Sequence, residues 1–301
     1  MYLFCIYRMS SKVIKLTGGK TMPINDFDLK NFCPNPSICM IAKRGSGKSW
    51  VCRAIIKHFS YLPGGVIIAK TERMSCFYGK FFPDSYIHYE YKSEILDNLL
   101  FRQEEIIEKC KKAYARNKKV DPRTFLVMDD CLASKGTWMN DQPILEVFYN
   151  GRHYQILFIL TMQFPLGIRP ELRCNFDYIF LLAEDFYSNQ KRLYDHYAGM
   201  FPSFDLFRQI FMQLTDDFGC MVIVNRGARG DILEKVFHYK AGNEDCGMIG
   251  CKQFKDFHNN NYNPNWKVAG GGFNMDNFIK KTNKPSIVVA KVDNPGTKKR
   301  N

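Results

Sequence analysis

Residues 42–49 are the part of the sequence whose residue types and spacing could most directly do chemistry. They read Ala-Lys-Arg-Gly-Ser-Gly-Lys-Ser, after a short apolar run and before an apolar segment with helical spacing. Glycines at positions 45 and 47 let backbone N–H groups turn inward around a phosphate, where the start of the following helix also favours negative charge. The motif therefore predicts a loop that binds the phosphates of a nucleoside triphosphate.

Individual side chains of this loop have separate expected roles. Lys48 would neutralise the β- and γ-phosphates, and the hydroxyl of Ser49 would be a ligand of Mg²⁺. Ala42 stands where the pattern has glycine, and alanine is the smallest possible replacement there. The predicted ligands are ATP and Mg²⁺. The residues predicted to bind the nucleotide are Arg44, Gly45, Ser46, Gly47, Lys48, Ser49 and Trp50.

A second group of polar residues ends two later apolar runs. Asp129 and Asp130 end the run 125–130, and Gln163 ends the run 156–163. Because ligands of parallel sheets bind at the carboxyl ends of the strands, these side chains should lie near the loop. We expect the strand of Asp129 to lie directly beside the strand that leads into the loop. Asp129 would hold Mg²⁺, Asp130 would orient the attacking water, and Gln163 would sense the γ-phosphate.

Arg152 stands on the connection between these two runs. An arginine there could reach the nucleotide of a neighbouring subunit and stabilise charge in the transition state. Arg169 and Arg173, which follow Gln163, are the rival candidates for this role. The predicted catalytic residues are Lys48, Asp130, Gln163 and Arg152, and the predicted metal ligands are Ser49 and Asp129.

Hydrophobic patterning predicts the elements that must position these groups. Continuous apolar runs predict strands buried on both faces, and apolar residues at helical spacing predict helices between them. The predicted strands are residues 66–69, 125–130, 156–163, 178–183 and 220–224, together with the run before the loop. The predicted helices are residues 50–59, 92–116, 144–149 and 190–214. This alternation predicts an α/β fold with a mostly parallel central sheet flanked by helices.

Composition and charge limit the class of protein. The 301 residues are 46% hydrophobic, which is enough for one sizeable α/β domain with extensions. The net charge of +13 indicates a polyanionic partner, nucleic acid first and an anionic membrane surface second. No run approaches the roughly 20 apolar residues of a membrane span, so no transmembrane segment is expected. We predict a leader over residues 1–34, an ATPase motor domain over 35–242 and a polar, basic extension over 243–301, with flexible extensions at both ends.

The order and spacing of these motifs resemble the virion DNA-packaging ATPases of poxviruses and giant DNA viruses, a family in the HerA/FtsK-type branch of P-loop motors. The resemblance covers about residues 35–242 and is carried by residues 42–49, 126–130, 152–153, 160–163 and 169–178. It implies a RecA-like core with ATP and Mg²⁺ bound between subunits of a homo-oligomeric ring, a hexamer in this expectation. It also implies translocation of viral double-stranded DNA into a preformed capsid, a capsid or portal component as a partner, and a location in the virion and the host cytoplasm, at the viral factory. Asp130 departs from the family pattern, because many such motors have glutamate there.

The residues leave other functions open. One is another P-loop ATPase or helicase that acts on nucleic acid, and a second is a nucleotide-binding structural DNA-binding protein without turnover, which Ala42 would allow. A P-loop nucleotide kinase would need an arginine-rich lid and would not need paired aspartates at the end of a strand. A GTP switch is disfavoured, because the stretch 283–286 (Asn-Lys-Pro-Ser) lacks the aspartate that reads guanine.

Overall fold

An eight-stranded mixed sheet runs through the computed structural model, which describes residues 10–131, 138–243 and 245–263. The strands are β1 (Ser11–Lys15), β2 (Thr21–Asn25), β3 (Ser37–Ile41), β4 (Gly65–Ala69), β5 (Ile87–His88), β6 (Thr124–Asp129), β7 (Ile156–Met162), β8 (Tyr178–Leu181), β9 (Cys220–Val224) and β10 (Val236–Tyr239). The helices are α1 (Lys48–His58), α2 (Glu72–Ser75), α3 (Ser93–Tyr114), α4 (Gln142–Asn150), α5 (Pro170–Arg173), α6 (Tyr187–Tyr197), α7 (Phe204–Leu214), α8 (Ile232–Lys235) and α9 (Lys252–Asn261).

The order of the strands across the main sheet is β10-β9-β8-β3-β7-β6-β4-β5. Strands β8, β3, β7, β6, β4 and β5 are mutually parallel, β9 is antiparallel to β8, and β10 is antiparallel to β9. Apart from β9, the strands of this sheet therefore point the same way. The predicted α/β fold with a mostly parallel central sheet flanked by helices is confirmed.

The predicted neighbour of β3, the strand that leads into the phosphate loop, is wrong. Strand β6, which ends at Asp129, pairs with β4 and β7, whereas β3 pairs with β7 and β8. The strand that ends just before Gln163 therefore lies between the loop strand and the acidic strand. All seven residues of β7 are buried. A long strand without a polar face packs best at the centre of a sheet, where both edges and both faces are covered.

Helices and loops cover both faces of this sheet. On one face, α3, α4, α6 and α7 pack with the inward residues of β1 and β2 into one apolar cluster. On the other face, α1 packs with the loop 77–87 into a second cluster. Alternate residues of β3 belong to different clusters: Cys39 and Ile41 face the first, and Ile38 and Met40 face the second. The sheet is therefore buried on both sides, as its apolar runs predict.

Two regions differ from the predicted elements. The predicted helix 190–214 is two helices, α6 and α7, because Pro202 lacks the N–H donor that a continuous helix would need. Ser203 then begins α7, and its side chain accepts a hydrogen bond from the backbone N–H of Leu206. Within the predicted leader, β1 and β2 form an antiparallel hairpin whose inward residues Ile14 and Ile24 are fully buried. That hairpin was not predicted.

Within the predicted C-terminal extension the structure contains helix α9. The ring of Phe254 on α9 stacks on Tyr86 with ring centroids 3.7 Å apart and an interplanar angle of 14°. The described residues up to Asn260 belong to one structural unit, and the described residues 261–263 are assigned to a second. The rest of the extension, residues 264–301, and residues 1–9 of the leader lie outside the described residues. The predicted boundaries of the domain 35–242 stay a prediction. Within the described ranges, no helix combines the length and the apolar character needed to cross a membrane.

Candidate nucleotide-binding site

The phosphate loop lies between the carboxyl end of β3 and the first residue of α1. Gly45 and Gly47 have φ angles of +75° and +95°, a backbone conformation that favours glycine over residues with a Cβ atom. The Ser46 hydroxyl donates to the carbonyl oxygen of Lys43 at 2.8 Å, which ties the loop to itself. Gly47 is the N-cap residue of α1, so the loop brings its backbone N–H groups to a helix N-terminus, where anions are favoured.

Ala42 fits the loop closely. It is 2% exposed, and its backbone N–H donates to the carbonyl oxygen of Met162 at 3.0 Å. The methyl group of alanine therefore packs in the core beside β7, where a larger side chain would have to displace its neighbours. Next to it, Lys43 forms an ion pair with Asp185, which follows β8.

The structure brings Lys48 together with both aspartates and the glutamine. Lys48 Nζ lies 2.5 Å from Asp130 Oδ2 and 3.2 Å from Asp129 Oδ1. Gln163 Nε2 donates to Asp130 Oδ2 at 2.9 Å. The hydroxyl of Thr161, a fully buried residue, donates to Asp129 Oδ1. The first residue of α1 and the ends of β6 and β7 therefore form one polar cluster, as the positions of these residues in the sequence predict.

Asp130 has an unusual backbone conformation. Its φ angle is +52°, in the left-handed region that few residues other than glycine, asparagine and aspartate adopt. Its N–H donates to the Thr161 hydroxyl at 3.3 Å. Its second carboxylate oxygen, Oδ1, is buried and accepts no hydrogen bond from the described part of the chain. An uncommon backbone conformation and an unsatisfied acceptor at one residue are typical of functional positions, and Oδ1 is available to accept a hydrogen bond.

A cavity of about 750 Å³ opens over the loop and Asp130. This volume lies within the usual range of small-molecule sites. It is lined by Ala42, Lys43, Arg44, Gly45, Gly47, Lys48, Ser49, Trp50, Val51, Thr71, Phe77, Asp130, Gln163, Phe218, Lys240 and Ala241. Of the predicted nucleotide-binding residues, Ser46 is the one that does not line the cavity, since its side chain bonds within the loop. The loop pattern could not predict the lining residues Thr71, Phe77, Phe218, Lys240 and Ala241, which come from distant parts of the chain.

Behind the cluster, a buried tyrosine lies near Asp129. The Tyr78 hydroxyl is close enough to the Asp129 carboxylate for that charge to affect its pKa, and it lies 3.5 Å from Cys52 Sγ. Burial, and then the nearby thiol and the Asp129 charge, raise the pKa of Tyr78 well above its ordinary value. Burial, and then the Asp129 charge, raise the pKa of the Cys52 thiol to about 12. Both groups are therefore neutral at pH 7, and Tyr78 keeps a hydroxyl proton beside Asp129.

Glu72 holds the loop that carries Tyr78. Its side chain is buried, and its carboxylate accepts hydrogen bonds from the backbone N–H groups of Phe77, Tyr78 and Gly79 at 2.9, 3.0 and 2.8 Å. A buried carboxylate with three such donors is stabilised by charge-assisted hydrogen bonds. Glu72 therefore fixes the position of the tyrosine behind Asp129.

Replacing Glu72 with alanine is expected to lower the free energy of unfolding by roughly 2–4 kcal/mol, because several buried N–H groups lose their acceptor. Urea denaturation measures this change. Glu90→Ala, at an exposed glutamate nearby in the chain, is the matched control and should change stability by less than about 0.5 kcal/mol. Equal, small effects of the two variants would show that the Glu72 hydrogen bonds do not stabilise the fold.

Arg152 lies away from this cluster. It is exposed and follows α4, just before the amino end of β7, whereas Gln163 follows the carboxyl end of the same strand. A strand of this length places the two ends about 20 Å apart. Burial raises the pKa of Asp177, and the hydrogen bond from the Ser37 N–H and the charge of Arg152 oppose that rise. Asp177 directly precedes β8, at the amino edge of the sheet. The structure does not bring Arg152 to the site of its own chain.

The rival arginines make contacts within the chain. Arg173 Nε donates to the carbonyl oxygen of Ile168 at 2.9 Å. Arg169 Nε lies 3.1 Å from Glu171 Oε1, and its Nη2 donates to the carbonyl oxygen of Met139 at 3.3 Å. Neither of these arginines lines the cavity.

Comparison with known proteins shows the family. The chain is 49% identical over 241 residues to "Uncharacterized protein L437" of Acanthamoeba polyphaga mimivirus. The match covers 80% of this chain and 84% of the relative. It is also 33% identical over 261 residues to "Uncharacterized protein 088R" of Invertebrate iridescent virus 3. This match covers 81% of this chain and 96% of the relative. The chain belongs to this family of large DNA virus proteins. The predicted resemblance to a giant-virus family is thus confirmed.

Solved structures add a comparison of the fold. The genome packaging NTPase B204 from Sulfolobus turreted icosahedral virus 2, in complex with AMP, matches with a TM-score of 0.47 and 11% identity. The match covers 70% of this chain and all of that chain. No family model matches the chain.

Proposed function

We propose that this protein is an ATP-hydrolysing motor that translocates viral double-stranded DNA into the capsid. The observation that carries the proposal is the cluster in which Lys48 and Gln163 both contact Asp130 at the wall of the cavity. Triphosphate hydrolysis needs a cation for the phosphates, a carboxylate that can take a proton from water, and a group that senses the γ-phosphate. These three groups come from three elements that are far apart in the sequence and meet at one edge of the sheet.

The geometry supports one sequence of events. The N–H groups of the loop and Lys48 would bind the β- and γ-phosphates, and Lys48 would exchange part of its contact with the aspartates for the phosphate charge. Water would attack the γ-phosphorus while Asp130 takes its proton, and the bond to the departing ADP oxygen would break. Gln163, which already donates to Asp130, would keep the carboxylate aimed at that water.

The residues present fit Mg²⁺. Hydroxyl and carboxylate oxygens are the ligands that this cation prefers, and Ser49 lines the cavity beside a cluster that holds both aspartates. The buried, unsatisfied Oδ1 of Asp130 is a further oxygen acceptor at this place. The Ser49 hydroxyl and Asp129 would hold the ion, which would supply positive charge to the phosphates. The hydrogen bond from the Thr161 hydroxyl would hold the Asp129 carboxylate in position for this role.

The DNA part of the proposal is supported by charge and by family. A net charge of +13 favours binding to a polyanion, and the relatives are proteins of large DNA viruses. The motor would act as a homo-oligomeric ring, a hexamer in the expectation above. It would work in the virion and in the host cytoplasm at the viral factory, against a capsid or portal component.

Arg152 would act on the nucleotide of a neighbouring subunit, since it lies far from the nucleotide site of its own chain. Arg152→Ala is expected to lose ATP hydrolysis and to be rescued in mixed rings with Lys48→Ala, because each variant supplies the residue that the other lacks. The measurement is ATP hydrolysis as a function of mixing ratio. Mixtures no more active than the separate variants would contradict the trans role of Arg152, and Arg169 and Arg173 would be the next candidates.

Translocation itself is tested by displacement of a third strand from duplex DNA. The protein, with ATP and Mg²⁺, should release a fluorescent triplex-forming oligonucleotide bound several hundred base pairs from a free DNA end. Lys48→Ala under the same conditions should release none. ATP hydrolysis without displacement at any protein concentration would contradict the motor and favour an ATPase that does not move along DNA.

A further inference from the structure

The antiparallel strands bring two distant segments to the phosphate loop. Because β9 runs against β8, its beginning lies at the same edge of the sheet as the carboxyl end of β3. Because β10 runs against β9, its end lies at that edge as well. Phe218 stands two residues before β9, and Lys240 directly follows β10. Both residues line the cavity, on the opposite side of β3 from β7 and β6.

Phe218 lies against the phosphate loop. A Cβ atom placed on Gly47 would lie 3.6 Å from Phe218 Cβ and 3.7 Å from Cδ1, which is ordinary van der Waals contact. The side chain is nevertheless 61% exposed. A large aromatic ring that lies beside a glycine of the loop and remains open to the cavity offers an apolar surface to a ligand.

The backbone segment that carries this ring has a strained conformation. Asp217 and Phe218 have φ angles of +50° and +58°, so two successive residues other than glycine adopt the left-handed conformation. The Asp217 carboxylate pairs with Lys240 Nζ, which ties the strained segment to the end of β10. Such strain persists where surrounding contacts enforce it, and it concentrates at ligand-binding positions.

The two flanks of the loop orient the nucleotide. In the proposed mechanism the γ-phosphate would lie beside Lys48, at the flank where Asp130 and Gln163 follow β6 and β7. A nucleotide extended from there across the loop leaves its nucleoside on the flank formed by β9 and β10. We propose that Phe218 is the surface on which the nucleobase stacks, with Lys240 and Ala241 beside it. This inference rests on the proposed ATP binding at the loop.

The chemistry of stacking sets what Phe218 would contribute. Every nucleobase has a π face, so an aromatic ring gains binding energy with any of them. Phe218 would therefore raise the affinity for nucleoside triphosphates in general, and inorganic tripolyphosphate, which has no base, would gain nothing from it. That difference separates a base platform from a residue that only supports the loop.

The test compares ATP with inorganic tripolyphosphate by isothermal titration calorimetry, both with Mg²⁺, on Phe218→Asn. Asparagine removes the ring yet tolerates the left-handed conformation, so the backbone of the segment is preserved. We expect the dissociation constant for ATP to rise about tenfold, the effect of losing one base–aromatic stack, and that for tripolyphosphate to stay within about twofold. Phe218→Tyr, which keeps a ring, should restore ATP affinity.

A matched control is Phe101→Ala, at a phenylalanine of α3 that is 65% exposed and does not line the cavity. It should bind both ligands as the unaltered protein does. Unchanged ATP affinity in Phe218→Asn, or an equal loss of affinity for ATP and tripolyphosphate, would overturn the proposed stacking of the nucleobase on Phe218. Either result would leave the proposed nucleotide site standing. Failure of the unaltered protein to bind either ligand would overturn the proposed nucleotide site, and the platform with it.

Discussion

Asp130→Asn is expected to bind ATP nearly as well as the unaltered protein and to hydrolyse it on the order of 10²–10⁴-fold more slowly, the range for loss of a general base. The amide keeps the size of the carboxylate but cannot take a proton from water. Asparagine also tolerates the φ angle of +52° at this position, so the turn after β6 should keep its shape. Calorimetry gives ATP affinity, and phosphate release gives the rate.

The control for this variant is Asp97→Asn, which removes the same charge from an exposed position on α3. Its rate should match that of the unaltered protein. A normal rate in Asp130→Asn would show that Asp130 is not the base. Loss of ATP binding in that variant would show instead that Asp130 maintains the structure of the loop.

Lys48→Ala is expected to weaken ATP binding by on the order of a hundredfold or more, as expected when a charge that faces phosphate in a partly dry site is removed. The Lys48 side chain is 12% exposed, and its cation lies between two carboxylates. Without it, Asp129 and Asp130 face each other and the phosphates with no counter-charge, which repels an anionic ligand. Calorimetric titration with ATP measures the loss.

The control is Lys20→Ala, which removes the same charge from the exposed turn between β1 and β2. Lys20 does not line the cavity. It should leave ATP affinity unchanged. ATP affinity retained by Lys48→Ala would contradict the assignment of residues 42–49 as the phosphate loop of a functional site.

The parts of the site that could be predicted are those that local sequence determines. The loop needs glycines at positions 45 and 47 because of its backbone conformation, and it needs lysine and serine because of its ligand. These requirements are visible within eight consecutive residues. Asp129, Asp130 and Gln163 could be predicted for a related reason: each follows an apolar run, and parallel strands place such residues at one edge.

The parts that could not be predicted depend on contacts between distant segments. An apolar run predicts a buried strand but not its neighbours, so the position of β7 between β3 and β6 was missed. Phe218 and Lys240 were missed because their place depends on the antiparallel direction of β9 and β10. The hairpin of β1 and β2 was missed because its alternating pattern is short, with one fully buried residue in each strand.

The most direct test of the account is steady-state ATP hydrolysis by the purified protein, with and without long double-stranded DNA. A DNA motor should hydrolyse ATP several-fold faster on duplex DNA, and this stimulated rate should vanish in Asp130→Asn. A rate of ATP hydrolysis that duplex DNA leaves unchanged, but that rises on addition of a nucleoside monophosphate, would contradict the motor and indicate a kinase. Tight ATP binding without hydrolysis under any condition would contradict it as well, and would indicate a nucleotide-binding protein without turnover.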